Sequence, residues 1–418
     1  MLNRYFIRPT TVDRIRASWV GDAIERYVGW LNEQNYAARN VFVRVPILIR
    51  FGDFARISGA HTLDELPAHV EPFIEDWLKR RKLGESECER RITAQRVRNP
   101  IHQLLRLILP HHGSNSHGKP NPFVDKVSGF FDFLRRDRGL RDATIVQYRH
   151  YLGRLEDDLR KADCSLSDLS PAVISAFITE SGKAMDKRSV QSLCSILKTF
   201  FRYLYRIGLV TCDLSEAIES PRRYRLTDLP RSIAWCEVEQ MLGKVDRRNP
   251  VGQRDYAILL LLVTYGLRAR EVAALTLDDV DWKRDRLHVR GRKAGHSTAY
   301  PLAAAVGEAI LDYLQIGRPK TTERALFFRA FAPYRPISGV AVSLRAKFYL
   351  RKSGIDVPRP GSHTLRHTCI QHLVDSGFSL KTIADFVGHR TPDATKIYAK
   401  TNIEALREVA LGDGEEIL

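Results

Sequence analysis

Near the end of the sequence, His363-Thr364-Leu365-Arg366 is followed by Gly388-His389 and then by Tyr398, and upstream Gly266-Leu267-Arg268-Ala269-Arg270-Glu271-Val272 supplies a further arginine. Two arginines, two histidines and a tyrosine are suited to gripping a phosphodiester and attacking it with a phenol. A guanidinium donates a two-pronged hydrogen bond to phosphate oxygens. Attack builds negative charge on the two non-bridging oxygens, and Arg268 and Arg366 can each take one. Losing one such placed donor costs about 10²–10³ in rate. Arg366 lies three residues after His363, so one helix face presents both, and Glu271 stands where it can orient Arg268. An imidazole such as that of His389, with an ordinary pKa of about 6.5, can donate at neutral pH. The phenol of Tyr398, with an ordinary pKa near 10, needs a base and a cationic pocket before it attacks.

The elements that must position these groups read as mostly helical. Asp255 to Gly266 is an apolar run suited to a buried helix. Ser362 is placed to cap a helix that runs to Gly377, and Leu380 to Val387 makes another, stopped by Gly388. A short helix from Thr391-Pro392-Asp393 would carry Tyr398. Leu287-His288-Val289 and Ala299-Tyr300-Pro301-Leu302 read as two short strands across the turn-like residues 293–297. Residues 123–219 carry helical spacing in Tyr148, Leu152 and Leu155 and again in Leu193, Leu197, Phe200, Phe201 and Leu204, leaving Lys198, Arg202 and Arg206 outward. Residues 1–110 echo this block. Trp30, Tyr36, Val41, Leu48 and Phe51 stand 104 positions before Leu134, Leu140, Ile145, Leu152 and Leu155, and Leu63-Asp-Glu-Leu66 resembles Leu166-Ser-Asp-Leu169. A duplicated module and two unrelated amphipathic helix pairs both give this pattern. Stretches rich in Gly, Ser, Asn and Pro at 111–122, and in arginine at 220–231, read as linkers.

Composition narrows the function. The 418 residues carry 66 Lys+Arg against 49 Asp+Glu, a net charge of +17, the electrostatic footprint of a nucleic-acid binder. Six scattered cysteines without a CxxC pair read as reduced, buried thiols in a cytoplasmic protein. The start lacks a signal-type apolar stretch, and the longest apolar run, 257–263, falls far short of the roughly 20 residues that span a bilayer. No P-loop or GxGxxG is present. His363, His367 and His372 would allow a metal on a helix, but no HExxH glutamate or finger spacing accompanies them. His367 and His372 read as structural.

In order and spacing these residues resemble the tyrosine recombinase (phage integrase) family over roughly 118–410. The resemblance rests on GLRAREV at 266–272, the hairpin around Lys293, HTLRH at 363–367, GH at 388–389 and Tyr398. It implies the roles. Arg268 and Arg366 hold the scissile phosphate with His389, and Lys293 is the acid for the leaving oxygen. His363 handles the tyrosine proton, and Tyr398 is the nucleophile. Lys293 is favoured for the hairpin role because it stands eight residues before Pro301, and Arg292 is the alternative occupant or a backbone contact. The implied chemistry is a 3′-phosphotyrosine reversed by the 5′-hydroxyl of a partner strand, with no ATP and no catalytic metal.

The resemblance also implies a mainly α fold with a small β-sheet. A helical core-binding domain (118–220) and an α+β catalytic domain (232–418) would clamp double-stranded DNA, with Arg222, Arg223 and Arg225 of the linker along the backbone. Four chains would act on two sites as a homo-tetramer, helped by accessory proteins, with Asn402 to Leu411 docking on a neighbour. Residues 1–115 are an added helical module suited to extra DNA sites or partners of a mobile element. Two rivals share features: a type IB topoisomerase, which needs no tetramer, and a non-catalytic DNA-binding regulator.

Overall fold

The computed structural model describes residues 1–80, 86–109, 121–221, 232–291 and 297–388. The expected linkers at 111–122 and 220–231, the turn at 293–297, and the helices expected around Tyr398 and Asn402–Leu411 fall wholly or largely outside them. Residues 105–225 form one compact unit, and residues 1–104 group with 226–418 in the other.

The first helices are α1 (Pro9–Arg16), α2 (Gly21–Glu33), α3 (Ala38–Ile57), α4 (Val70–Arg80) and α5 (Glu87–Ile108). Their apolar faces bury Ile24, Leu31, Val41, Leu48, Phe51 and Phe73. Arg98 ties α5 to α4 through Glu71 (2.5 and 2.9 Å). Arg44 of α3 and Tyr27 of α2 both donate to Gln103 of α5, each at 2.8 Å.

The middle unit contains α6 (Phe130–Arg136), α7 (Asp142–Lys161), α8 (Pro171–Lys183) and α9 (Lys187–Arg206). Helices α8 and α9 begin where side chains satisfy the orphan N–H groups of a first turn. Ser170 accepts from Val173 and Asp186 from Ser189 (2.8 Å). The buried face of α9 is the one expected from spacing: Leu193, Leu197, Phe200, Phe201 and Leu204 close a core with Phe130, Leu152 and Leu155. Element order repeats between these two sets. A short 3₁₀ turn precedes α4 as another precedes α8, and α3 and α7 are each 20 residues long.

The last region packs α10 (Trp235–Gly243), α11 (Pro250–Thr264), α12 (Ala269–Ala274), α13 (Ala304–Asp312), α14 (Gly339–Lys352), α15 (Ser362–Asp375) and α16 (Leu380–Val387) around a large apolar cluster. One sheet lies among them in the order β1 (Val280–Asp281), β2 (Arg286–Val289) and β3 (Thr298–Pro301), all antiparallel. The mostly helical fold with a small sheet, expected from the sequence, is the one observed.

Three details differ from expectation. The buried helix starts earlier, because Asn249 accepts the Gly252 N–H (2.9 Å) and Pro250 fits its first turn. Strand β3 stops at Pro301: the Leu302 N–H still donates to the Asp285 carbonyl (2.8 Å), the next pair in register, but Asp285 turns left-handed at φ +49° and the ladder goes no further. Ser362 is not a cap: Gly361 holds that position, and the Ser362 N–H donates to the Ser343 hydroxyl (3.3 Å). The cysteines are all free, but only Cys194 and Cys369 are buried, while Cys88, Cys212 and Cys236 are exposed. Small thiols tolerate either environment, so composition did not fix their depth.

A charge cluster sits inside the large core. Asp255 of α11, wholly buried, accepts from Arg254 (2.7 and 3.0 Å) and from Arg345 of α14 (2.6 Å), and Arg254 also donates to the Phe328 carbonyl (3.0 Å). Removing one partner of such a set leaves buried charge uncompensated. Asp255→Ala should therefore cost about 3–5 kcal/mol, read as a lower denaturant midpoint of the full chain. An unchanged midpoint would show that the cluster does not hold α11 to α14.

Candidate active site

Helix α11 is buried at every residue from Ala257 to Val263, so its end is fixed in depth. It stops because Gly266 takes φ +58°, a left-handed conformation that suits glycine. A Cβ there would also meet the Cys369 sulfur at 3.2 Å and a Val387 methyl at 3.3 Å. The turn lets α15 and α16 approach closely. Two residues on, Arg268 stands at the N-terminus of α12. Glu271, 8% exposed, accepts from the Arg268 backbone N–H and from its guanidinium, both at 2.8 Å. The expected orienting role of Glu271 thus has a geometry: one carboxylate fixes both the backbone and the head of the arginine.

Arg366, 5% exposed, projects from α15. It donates to the Gly266 carbonyl and, at 2.8 Å, to the Val387 carbonyl. Arg268 donates to the Gly388 carbonyl at 3.1 Å. The Tyr300 hydroxyl of β3 donates to the Phe386 carbonyl. Three successive carbonyls at the end of α16 therefore receive donors from three different elements. Helix-terminal carbonyls lack partners within the helix and carry its negative pole, so two guanidiniums are suited to them. Ser379 caps the other end by accepting the Thr382 N–H (3.1 Å), and Gly388, left-handed at φ +65°, stops the helix.

His363 lies one turn before Arg366 on α15, at the exposed rim. Partial loss of hydration, then the positive charges of Arg366 and Arg268, hold its pKa below the usual 6.5. Both arginines thus act on one imidazole, which is kept neutral at pH 7 and able to accept a proton. The Cys369 thiol beneath Gly266 is pushed by burial up to about 12 and stays protonated, so it is no competing nucleophile. His372 stacks on Trp235 of α10, with ring centres 4.1 Å apart, and Thr368 accepts the Ile233 N–H (3.0 Å). The second half of α15 is therefore structural. Among the described residues no group of three or more His, Cys, Asp or Glu is placed to hold a metal, and no helix is long and apolar enough to cross a membrane.

Of the expected site residues, the structure brings Arg268, His363 and Arg366 together. Lys293, Arg292, His389, Tyr398, Arg222, Arg223 and Arg225 lie outside the described residues. Sequence reading missed Tyr300 and the carbonyl row at 386–388. Tyr300 stands beside the strand-ending Pro301, but no pattern in one sequence shows which carbonyl a phenol will reach.

A second polar surface lies in the unit of residues 105–225. A cavity of about 760 Å³ opens between α7 and α9, lined among others by Gln147, Tyr148, Gln191, Lys198, Arg202 and Arg206.

Comparison with known proteins gives these features a class. Residues 232–404 match the phage integrase family, and residues 127–208 match the N-terminal SAM-like domain of phage integrases. The putative integrase/recombinase y4rA of Sinorhizobium fredii is 32% identical over 390 residues, covering 92% of each chain. Tyrosine recombinase XerD of Pseudomonas putida is 30% identical over 292 residues, 68% of this chain and 96% of its own. Among solved structures, XerH site-specific recombinase bound to palindromic difH substrate aligns with a TM-score of 0.52 at 17% identity, over 64% of this chain and 79% of its own. A lambda integrase dimer bound to a COC' core site aligns with a TM-score of 0.52 at 18% identity, over 65% and 93%. The class so defined is an enzyme that cuts DNA strands and rejoins them. The chain belongs to the phage integrase family of tyrosine recombinases.

Two measurements follow from the geometry. Gly266→Ala should lower stability by at least about 1–2 kcal/mol from backbone strain alone, read as a fall in the denaturant midpoint. An NMR titration should place the His363 midpoint below that of a free histidine and raise it in Arg268→Ala. The neutral ring favoured by the fold is in place above pH of about 6.5, and its protonation as pH falls through the folded value opposes folding. A midpoint at or above the free value would contradict the site electrostatics.

Proposed function

We propose that this chain is a site-specific recombinase in which Arg268, Lys293, His363, Arg366 and His389 assist attack by Tyr398 on a DNA phosphodiester. The observation that carries the reading is the placement of Arg268 and Arg366 on adjacent carbonyls, with a neutral His363 within reach of both charges. Two guanidiniums fixed before substrate arrives stabilise developing phosphate charge without reorganising, which is where such sites gain most rate. A neutral imidazole can take the phenolic proton. Tyrosine attack breaks the bond from phosphorus to the 5′-oxygen, which takes a proton from Lys293 to become a 5′-hydroxyl, and leaves a 3′-phosphotyrosine. The bond energy is retained in that ester, so a second 5′-hydroxyl reverses the step without ATP.

The proposal extends to organisation. Residues 118–220 and 232–418 act as core-binding and catalytic modules, and the family matches at 127–208 and 232–404 fall inside them. The cavity between α7 and α9, lined by amides and cations, suits DNA, with Arg292, Arg222, Arg223 and Arg225 adding phosphate contacts. Four chains on two duplexes give the four tyrosines that exchange requires. The Sinorhizobium relative is named a putative integrase/recombinase, and the task proposed here is integration or rearrangement of a mobile element.

Incubation of the full chain with a pool of nicked, random-sequence duplexes should yield a covalent protein–DNA adduct. Tyr398→Phe should abolish it, and Arg366→Ala should slow it about 10²–10³-fold. No adduct with the wild type, or one undiminished by Tyr398→Phe, overturns the enzymatic reading. Relaxation of supercoiled plasmid without exchange between duplexes would favour a topoisomerase.

A further inference from the structure

Helices α3 to α5 repeat α7 to α9 position by position. Adding 104 carries α3, Ala38–Ile57, onto α7, Asp142–Lys161, at both ends. The buried Val41, Leu48, Phe51 and Ala55 then fall on the buried Ile145, Leu152, Leu155 and Leu159. The same shift takes Val70 and Phe73 onto Ile174 and Phe177, again all buried. Adding 96 carries Val97, Ile101, Leu104 and Leu105 of α5 onto Leu193, Leu197, Phe200 and Phe201 of α9, all buried. Even the polar contact between the paired helices recurs. Arg44 donates to Gln103 (2.8 Å) where Tyr148 donates to Thr199 (3.3 Å), and those shifts map 44 onto 148 and 103 onto 199.

The outward residues are repeated in kind. On α9, Gln191, Ser192, Ser195 and Lys198 line the cavity proposed to face DNA. Their counterparts on α5 are Gln95, Arg96, Asn99 and His102, the first three exposed. Both helices are also basic: α9 carries five Lys or Arg and no acidic residue, and α5, after Glu87 and Glu89 of its first turn, carries five arginines from Arg90 to Ile108, of which Arg98 is paired with Glu71. A structural helix needs only its buried face to be kept. A run without one acidic residue, on the face equivalent to a polar cavity, is complementary to a polyanion.

We infer that residues 1–109 are a second copy of the helical unit, and that its α3–α5 face binds double-stranded DNA through Gln95, Arg96 and Asn99. This rests on the reading of the α7–α9 cavity as a DNA surface. Gln95 and Asn99 lie one turn apart and are already joined, Gln95 donating to Asn99 at 2.6 Å. Amide side chains pair with adenine edges and arginine with guanine in the major groove. Val43, 64% exposed on α3 at the position of Gln147, is an apolar departure and fits a thymine methyl. The face therefore reads bases as well as gripping phosphate, and the chain recognises a second sequence element beside the one met by α7 and α9.

The test selects bound sequences from a pool of random duplexes with the full chain, then with Arg96→Ala/Asn99→Ala and with Lys198→Ala/Arg202→Ala, each checked for unchanged circular dichroism. The wild type should enrich duplexes carrying two separate elements. The α5 variant should lose one, bind its best duplex about 5- to 100-fold more weakly, and show a salt slope reduced by about one; the α9 variant should lose the other. Arg96→Lys should keep the wild-type salt slope and relax base preference. Selection and salt slope unchanged in the α5 variant overturn the inference while leaving the recombinase reading intact. An α9 variant that keeps both elements overturns the cavity assignment and the inference with it. Self-association of the wild type that Arg96→Ala/Asn99→Ala abolishes would assign the face to a second protein copy and also overturn it.

Discussion

The catalytic region depends on how one helix ends. The last carbonyls of α16 have no partners within the helix, and they meet two guanidiniums and a phenol from three other elements. This arrangement satisfies groups that would be costly to leave unpaired. It also fixes the two arginines side by side, because each is held to a neighbouring carbonyl of one rigid segment. The negative pole of α16 therefore serves as the template on which the two guanidiniums are assembled, the pair proposed to grip phosphate.

Upstream features serve that junction. The buried Asp255 cluster holds α11 against α14, and the apolar length of α11 sets where Gly266 turns. The glycine admits Cys369 and Val387 to van der Waals distance, which brings α15 and α16 to the end of α11. Arg268 follows two residues later, clamped by Glu271. The electrostatics then follow from placement: two cations near one partly desolvated imidazole leave it neutral.

Much of this was legible in the sequence, for physical reasons. Helical periods in α9, α11 and α16 report burial directly, and short-range signals such as Gly388 mark stops that depend on few neighbours. Arg268, His363 and Arg366 were identifiable because their residue types and spacing match a known chemistry. Apart from Glu271, their partners were not, since backbone carbonyls carry no residue identity and the contacts run between distant positions, 100 apart from Arg366 to Gly266 and 21 apart from Arg366 to Val387. The Ser362 cap failed for a related reason: a serine before a helix signals a cap only when its own backbone stands outside the first turn. Buried charges such as Asp255 are likewise illegible, because hydropathy places them at the surface and only packing shows their partners.

The small core beneath the junction has a further consequence. Helices α15 and α16 share a separate cluster of four buried residues, Ile370, Val374, Ile383 and Val387, apart from the large core that holds α11 and the sheet. Free energy of opening is not uniform across a fold, and segments with few apolar contacts detach first. Helix α16 is joined to the large core through Phe386 and through the donors Tyr300, Arg268 and Arg366. Loss of those donors would free α16 before the large core opens.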